Sequence, residues 1–251
     1  MFSLAGKRAL VSGAGAPGGI GIAIAKTLKD LGAEVFITST TGRIHERAKE
    51  IGVTGLVADL TIEGDCEALI AKVGSIDILV NNAGMTSQND PLGADEASDL
   101  TGVTLEAWQR GMKRNLDTAF NLTKCALPAL RKSKSGRIIM VSSVTGGLMA
   151  MSHQPVYAAA KAAMLGLMRS LALDEAKYGI TCNAVLPGWI ETDTQSAHEK
   201  FQGMKTPLAR NGRPEEIAGL VGWLASESSG YMTGQTLIVD GGNSIQEERA
   251  Q

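Results

Sequence analysis

Short apolar runs rich in β-branched residues alternate with segments of helical periodicity along the whole chain. This alternation is typical of parallel βαβ units, and it disfavours a β-sandwich or a helical bundle. The runs carry few polar residues, as expected where helices cover both faces of a sheet. We therefore predict an α/β fold with a doubly wound parallel sheet of about seven strands, at residues 9–11, 34–38, 55–58, 76–80, 137–142, 181–186 and 236–239.

Two helices are predicted from their periodicity and from the residues at their ends. Apolar residues recur every three or four positions from Ile20 to Leu31, and Gly32 follows as a C-terminal stop. Pro214 opens a second helix with two carboxylates in its first turn, and this helix is predicted to run to about Ser226. Residues 86–104 are rich in turn formers and acidic residues, so we expect a surface excursion there.

Length and charge limit the classes of protein to which the chain can belong. At 251 residues it suits a single domain over residues 1–251, and a formal net charge of −2 disfavours a nucleic-acid partner. No stretch approaches the ~18 apolar residues of a membrane span, and the first residues lack the pattern of a secretory signal. We therefore expect a cytoplasmic protein with no membrane partner. The three cysteines lack CxxC spacing, and no metal site is predicted.

The segment SGAGAPGGIG, residues 12–21, lies between the first predicted strand and the first predicted helix. In such a unit the helix N-terminus offers unpaired N–H groups and a partial positive charge, and both suit a pyrophosphate. Gly13 and Gly15 supply the turn, and Gly19 and Gly21 allow close packing. Glycine-rich turns are also common at strand ends, so the segment alone leaves a purely structural turn open.

The end of the second predicted strand indicates which dinucleotide would be bound. NAD sites usually carry Asp or Glu about 20 residues after the glycine motif, where the carboxylate binds the ribose 2′-hydroxyl. Residues 37–43 contain no carboxylate, and Ser39, Thr40 and Arg43 offer hydroxyls and a cation for a 2′-phosphate. We therefore predict NADP(H), with NAD(H) as the alternative. Arg43 has no such role if it only solvates the following helix.

A tyrosine and a lysine stand four residues apart in the helical segment YAAAK. Tyr157 and Lys161 would share one helix face, which brings a phenol beside an ammonium. A free tyrosine has a pKa of about 10, so a nearby cation is needed if the phenol is to exchange protons near neutral pH. The preceding strand ends in Ser142 and Ser143, at the edge where open α/β sheets bind ligands. A buried tyrosine and a surface lysine would be the alternative for this pair alone.

As a set, these motifs resemble those of the short-chain dehydrogenase/reductase family, and the resemblance extends over essentially the whole chain. It rests on the glycine loop, the two serines and YAAAK, together with Asp59-Leu60, Asn81-Asn82-Ala83-Gly84, Asn115, residues 187–192 and TGQTLIVDGG. It implies a Rossmann fold and an NADP(H)-dependent oxidoreductase that interconverts a ketone and a secondary alcohol. The pattern is most similar to the 3-oxoacyl-acyl-carrier-protein reductase branch, so a 3-oxoacyl thioester is among the implied substrates. The alternatives are an alcohol, polyol or sugar dehydrogenase of the same family and a non-catalytic dinucleotide sensor.

The resemblance assigns catalytic roles to four residues. Tyr157 would be the general acid in carbonyl reduction and the base in alcohol oxidation, and Lys161 would lower the pKa of the phenol and bind the nicotinamide ribose. Ser143 would orient and polarise the substrate carbonyl, whereas Ser142 would be structural. Asn115 would hold a water molecule that links Lys161 to solvent, a role compatible with its also satisfying helix backbone. The resemblance further implies a homotetramer, with the helices of Asn115 and Tyr157 in one interface.

Further residues are predicted to contact the cofactor or the substrate. The cofactor set is Gly13, Ala16, Gly19, Ile20, Gly21, Ser39, Thr40, Arg43, Asp59, Leu60, Asn82, Ala83, Gly84, Tyr157, Lys161, Pro187, Gly188, Ile190 and Thr192. Without the resemblance, Asp59 would be interpreted as a helix cap. The substrate set is Ser143, Met149, Tyr157 and Trp189, and core filling is the alternative role for Met149.

The chain departs from the family pattern at the glycine loop, and its fit to an acyl carrier is incomplete. The usual loop is TGxxxGxG, whereas five residues separate Gly13 from Gly19 here, so two extra residues lie within 15–18. The segment 193–210, which would cover the substrate, is short. An acidic acyl carrier would need a basic surface on this protein. The candidates for that surface are Arg131, Lys132 and Lys134, but acidic residues interrupt the basic region.

Overall fold

The structure, a computed structural model, describes residues 2–84, 93 and 95–247. The strands of this described part are β1 (Arg8–Ser12), β2 (Glu34–Ser39), β3 (Thr54–Val57), β4 (Ile78–Asn81), β5 (Arg137–Val141), β6 (Thr181–Pro187) and β7 (Thr236–Val239). They form one seven-stranded sheet in the order β3-β2-β1-β4-β5-β6-β7, and all neighbouring strands are parallel. The predicted doubly wound α/β fold is therefore confirmed.

The strand bounds agree with the predicted ones to within two residues. β3 lies one residue earlier than predicted, and as an edge strand it has both ends exposed. β4 begins at Ile78 rather than at position 76. Just before it, the Asp77 carboxylate accepts the Arg8 backbone N–H at 2.8 Å. At this end of the β1–β4 ladder, a side chain therefore replaces a backbone carbonyl as the hydrogen-bond acceptor. β6 continues to Pro187, which is aligned with Val239 of β7.

The helices alternate with the strands. They are α1 (Ile20–Asp30), α2 (Arg43–Ile51), α3 (Glu63–Val73), α4 (Leu105–Met112), α5 (Thr118–Leu130), α6 (Val144–Gly147), α7 (Pro155–Asp174), α8 (Ala197–Gly203) and α9 (Pro214–Ala225). A five-residue π-helix, Lys113–Asp117, joins α4 to α5. Both helix predictions are confirmed, because α1 is followed by Gly32 in a left-handed conformation (φ +102°) and α9 starts at Pro214.

Two apolar layers hold the sheet between its helices. Along β1, Ala9 and Val11 face the layer that includes α1 and α9, whereas Leu10 faces the layer that includes α3, α5 and α7. Burial of each large aliphatic side chain contributes about 1.5–3 kcal/mol. The central strands are thus packed on both faces and form a rigid base for the loops at their carboxyl ends.

The strand order reverses between β1 and β4. The chain runs outward from β1 through β2 to β3, and then returns to place β4 on the other side of β1. In open α/β sheets the crevice at the carboxyl ends of such strands is where ligands bind. The residues that follow β1 and β4 are the glycine loop and the Asn82–Gly84 turn, so both motifs lie at this position.

One described helix, α7, is long and apolar enough to cross a membrane by length and composition, which corrects the expectation that no segment comes near this limit. Of its most apolar window, 44% is buried inside the protein. The core helix of a globular protein passes the same test, because it is also long and apolar. A single helix of this kind is weak evidence for a membrane span.

The predicted surface excursion at 86–104 is only partly described, since residues 85–92 and 94 lie outside the described ranges. In the part that is described, Glu96 is not a solvated acidic residue, and the prediction was wrong there. Its side chain is 2% exposed and forms an ion pair with Arg114, which is 5% exposed. Arg110 adds a second hydrogen bond to the same carboxylate at 3.0 Å. Two guanidinium groups thus compensate the burial of this charge.

Candidate active site

The carboxyl end of β5 and the start of α7 bring the predicted catalytic side chains together. Ser142 is buried, and its hydroxyl donates to the Lys161 carbonyl at 2.9 Å, which ties β5 to α7. Ser143 is half-buried; its hydroxyl accepts the Thr145 N–H at 3.1 Å and also forms a hydrogen bond with Tyr157. Both serines therefore bond to backbone, and Ser143 also interacts with the phenol.

Lys161 lies beside Tyr157 in a buried environment. Its ammonium is 5.7 Å from the centre of the Tyr157 ring and donates to the Val141 carbonyl at 3.1 Å. Burial lowers the pKa of Lys161 to about 8, because the charged form is desolvated. Burial also raises the pKa of Tyr157, and its hydrogen bond with Ser143 opposes that increase. That Lys161 lowers the pKa of the phenol therefore stays a prediction.

Asn115 lies inside the π-helix, where its side chain is held close to Lys161. It is 2% exposed, and its Nδ2 donates to the Gly111 carbonyl at 3.0 Å, so it does satisfy local backbone. A Cβ placed on Gly84 would lie 3.1 Å from Asn115 Oδ1 and 3.3 Å from Lys161 Nζ. These three residues therefore converge. Single turns of π-helix occur frequently at functional sites, where they redirect a side chain.

The glycine loop forms a tight backbone cradle against the end of β4. Gly13 has a φ of +70°, and a Cβ there would be 2.7 Å from the Ala83 Cα. A Cβ on Gly21 would be 2.5 Å from the Gly13 carbonyl oxygen. The Ser12 hydroxyl accepts the N–H groups of Asn82 and Ala83 at 3.0 and 3.1 Å, which fixes the two loops together.

This cradle fits a dinucleotide pyrophosphate. The first-turn N–H groups of α1, from Ile20 onward, have no partner within the helix, and the neighbouring glycines leave them uncovered by side chains. Gly19, the residue before α1, donates its N–H to the Ala16 carbonyl at 3.2 Å, so residues 16–19 form a turn. The neighbouring Gly18 donates its N–H to Asp193 Oδ2 at 2.7 Å. Asp193 is a residue that the sequence interpretation did not select.

The predicted 2′-phosphate contacts lie together between β2 and α2. Ser39 and Thr40 are half-buried at the end of β2, and Arg43 is exposed at the first position of α2. Arg43 takes part in none of the ion pairs found among the described residues, whereas Arg47 is paired with Glu50 at 2.5 Å. The helix N-terminus and one exposed guanidinium thus lie at the position that the NADP(H) prediction requires.

Asp59 and Leu60 follow β3, and both make local contacts. Asp59 Oδ1 accepts the Thr61 N–H at 2.9 Å and the Thr61 hydroxyl at 2.7 Å, so this carboxylate stabilises the turn before α3. It does not cap the helix, because the N-cap residue of α3 is Ile62. Leu60 is buried, and its carbonyl accepts Asn121 Nδ2 at 3.0 Å. These contacts hold the turn after β3 in place, and a contact to adenine stays a prediction.

The end of β6 carries the predicted nicotinamide contacts Pro187, Gly188, Ile190 and Thr192. A Cβ on Gly188 would be 2.7 Å from the Asp240 Cβ, so the loops after β6 and β7 approach closely there. Ile190 is buried in the core, and Thr192 is half-buried. Trp189 borders a cavity of about 70 Å³ and, in the described part of the chain, its buried indole Nε1 has no hydrogen-bond partner.

Met149 lies where the loop after β5 meets the C-terminal segment. It packs against the core layer that includes α7, so the core-filling role is present. Its sulfur is 3.6 Å from Asn243 Nδ2, and Asn243 is 4% exposed. No partner for Asn243 Oδ1 is found among the described residues. A substrate contact of Met149 stays a prediction.

Comparisons with known proteins agree with this geometry. A sequence model of a family described as enoyl-(acyl carrier protein) reductase matches residues 13–244. The 3-oxoacyl-(acyl-carrier-protein) reductase FabG of Escherichia coli (strain K12) is 40% identical over 248 residues, which cover 94% of this chain and 97% of that protein. The oxidoreductase UcpA of Salmonella typhimurium is 34% identical over 268 residues, which cover 98% of each. Among solved structures, the Pseudomonas aeruginosa RhlG/NADP active-site complex matches with a TM-score of 0.86 and 31% identity, covering 97% of this chain and 98% of that one.

Proposed function

The chain belongs to the short-chain dehydrogenase/reductase family, and we propose that its substrate is a 3-oxoacyl thioester, reduced to the 3-hydroxyacyl thioester. It is an NADP(H)-dependent oxidoreductase that interconverts a ketone and a secondary alcohol. The convergence of Ser143, Tyr157 and Lys161 beside the glycine cradle carries the proposal for the reaction. The identity of 40% with relatives named 3-oxoacyl-acyl-carrier-protein reductases supports the choice of substrate.

In this proposal the cofactor supplies the hydride, and the residues of the chain position the groups and supply the proton. The Ser143 hydroxyl donates a hydrogen bond to the ketone oxygen, which polarises the carbonyl. The Tyr157 hydroxyl gives its proton to the same oxygen as negative charge develops there. The raised pKa of Tyr157 keeps the phenol protonated near neutral pH, which suits its role as the acid in the reductive direction.

Lys161 and Asn115 would return the proton to Tyr157. With a pKa of about 8, Lys161 is mostly charged at pH 7 and is able to exchange its proton within the accessible pH range. Asn115 and Gly84 border the Lys161 ammonium, and we propose that a water molecule held there connects it to solvent. In the same proposal, the predicted cofactor residues of the glycine loop and of the β2, β3, β4 and β6 ends hold NADP(H).

The test follows NADPH consumption with acetoacetyl-CoA as the substrate. Tyr157→Phe keeps the ring but removes the proton donor, so we expect turnover to fall by about 100- to 10,000-fold while NADPH still binds, as measured by its fluorescence. Crotonyl-CoA, which has a double bond in place of the ketone, serves as the control substrate and should not be reduced. Near-normal turnover in Tyr157→Phe, or reduction of crotonyl-CoA alone, would contradict the proposal.

The observations give less support for an acyl carrier protein as the carrier of the acyl group. Arg131, one of the candidate basic residues, forms two hydrogen bonds with Glu175, at 2.8 and 2.6 Å, and this contact lowers the pKa of Glu175. Lys132 and Lys134 remain exposed. We therefore propose the thioester, not a particular carrier, as what the site recognises.

We also propose a homotetramer in the cytoplasm. Large apolar side chains are exposed on the helices predicted to form one interface: Leu105 of α4 is 66% exposed, Phe120 of α5 is 47% and Leu173 of α7 is 81%. Exposed apolar side chains of this size favour association where they form a contiguous patch. Analytical ultracentrifugation should give four times the mass of 26.2 kDa. Phe120→Asp should shift this mass downward, and a monomeric wild-type protein would contradict the proposal.

A further inference from the structure

A hydrogen bond joins the glycine loop, in the part that holds the two extra residues, to the segment after β6. Gly18 donates its backbone N–H to Asp193 Oδ2 at 2.7 Å, across a sequence separation of 175 residues. Gly18 belongs to the extended part of the loop, and Asp193 follows Thr192, a predicted nicotinamide contact. The hydrogen bond therefore joins two sides of the predicted cofactor site.

A side chain on Gly18 would displace the Asp193 carboxylate from its present position. A Cβ on Gly18 would lie 2.5 Å from Asp193 Oδ1 and 2.9 Å from its Cγ. Gly18 is not among the glycines with a positive φ, so conformational freedom is not the reason for a glycine at this position. The reason is the close approach of the Asp193 carboxylate.

The bond leaves the phosphate-binding groups available. The turn at residues 16–19 uses the Gly19 N–H, and Asp193 takes the Gly18 N–H. The first-turn N–H groups of α1 begin at Ile20 and have no partner within the helix. Asp193 thus binds the loop outside the part that would receive the pyrophosphate. Its carboxylate forms no ion pair with the described residues, so a backbone N–H is the donor that holds it.

We propose that Asp193 is a positioning residue for the cofactor, and that its hydrogen bond to Gly18 forms a strap across the cleft that slows the release of NADP(H). The inference rests on the proposed function, since it requires a dinucleotide in the cradle. The strap acts through the backbone of the loop and does not touch the reacting atoms. It also gives the two extra loop residues a role, because they extend the loop toward the segment after β6.

The test measures the dissociation rate of NADPH from the holoenzyme by stopped-flow fluorescence, with excess NADP⁺ as the displacing ligand. Asp193→Ala removes the acceptor, and we expect the dissociation rate to rise about three- to tenfold, in line with the typical net contribution of one exposed hydrogen bond. Asp193→Asn keeps an acceptor oxygen without the charge, and its rate should stay within about twofold of the wild type. Glu191→Ala is the matched control, because it removes an exposed carboxylate two residues away that does not bond to the loop.

A double-mutant cycle separates the contact from general damage. Gly18→Ala places a methyl group against the carboxylate, so it should raise the dissociation rate as Asp193→Ala does. The double variant should add little to either single change, since both remove the same contact. An unchanged or slower release in Asp193→Ala, or an equal increase in Glu191→Ala, would overturn the inference and leave the proposed reaction intact. Absence of NADPH binding to the wild-type protein would instead contradict the proposed function.

Discussion

Removal of the Glu96 carboxylate is expected to destabilise the fold, because this group compensates a buried guanidinium. The side chains of Glu96 and Arg114 are 2% and 5% exposed, and Arg110 also donates to Glu96 at 3.0 Å. Breaking a buried pair by removing one partner costs about 3–5 kcal/mol. For Glu96→Ala we expect a loss of this size, which in a chain of this length corresponds to a fall in Tm of roughly 6–20 °C.

The converse change removes the guanidinium of the same pair. Arg114→Met leaves Glu96 with the Arg110 guanidinium, so its carboxylate keeps a cationic partner, and we expect a loss of about 1–3 kcal/mol. Glu63→Ala is the control, because Glu63 and Lys124 form an exposed pair that should contribute no more than about 1 kcal/mol.

Urea unfolding followed by circular dichroism measures these free energies, at one protein concentration because association adds to apparent stability. The same variants also test whether this ion pair affects the active site. Arg114 precedes Asn115 in the π-helix, and a Cβ on Gly111 would lie 3.1 Å from Glu96 Oε2 and 2.5 Å from Val156, the neighbour of Tyr157. Glu96→Ala should therefore lower kcat even where it is fully folded. A free energy of unfolding of Glu96→Ala within about 1 kcal/mol of the wild type would refute the reasoning.

Two further predictions concern the cofactor and the pH dependence of stability. Arg43→Asp should change the ratio of kcat/KM for NADPH over NADH by about 10- to 100-fold in favour of NADH, because a carboxylate replaces the cation near the 2′-phosphate; an unchanged ratio would contradict this placement. Burial holds the pKa of Lys161 at about 8, against 10.5 for the free side chain, so between these values the unfolded chain binds more protons and the contribution of Lys161 to stability rises with pH. Urea unfolding measures the free energy of unfolding at pH about 8 and about 10. Between these two values it should rise less in Lys161→Met than in the wild type, by up to about 3 kcal/mol. An identical pH dependence in both proteins would count against the burial of a charged lysine.

The centre of the sheet was predictable because β4, β5 and β6 are buried along their whole length and therefore appear as largely apolar runs. All seven predicted strands occur, and the largest differences lie at ends where local contacts decide, such as the Asp77 carboxylate before β4. The Ser143, Tyr157 and Lys161 cluster was predictable for a different reason. The i, i+4 spacing on one helix face brings Tyr157 and Lys161 together, and the position of Ser143 at the end of a strand puts it at the edge of the sheet where open α/β folds bind ligands. The approach of Ser143 to this helix face depends on the packing of α7 against the end of β5.

The contacts that the sequence did not reveal depend on tertiary placement. Glu96 lies in a segment with an acidic, loop-like composition, and the positions of Arg110 on α4 and Arg114 on the π-helix make its burial favourable. The sequence KRNLD of the π-helix contains no proline or glycine that would indicate a change in helix type. The unpartnered oxygen of Asn243 is likewise a consequence of how the C-terminal segment packs against Met149.

The glycine loop combines both situations. A Cβ on Gly21 would lie 2.5 Å from the Gly13 carbonyl oxygen, which belongs to the same strand-loop-helix unit, so the motif alone indicates this glycine. Gly13 has a φ of +70°, and a Cβ there would lie 2.7 Å from the Ala83 Cα, beyond β4. Gly18 is required by a side chain 175 residues away, and no local pattern predicts that contact. A glycine required by the local fold should tolerate no substitution in any variant of this protein. By contrast, Gly18→Ala should lose its effect once Asp193 is also alanine, because the group that excludes the extra methyl has been removed.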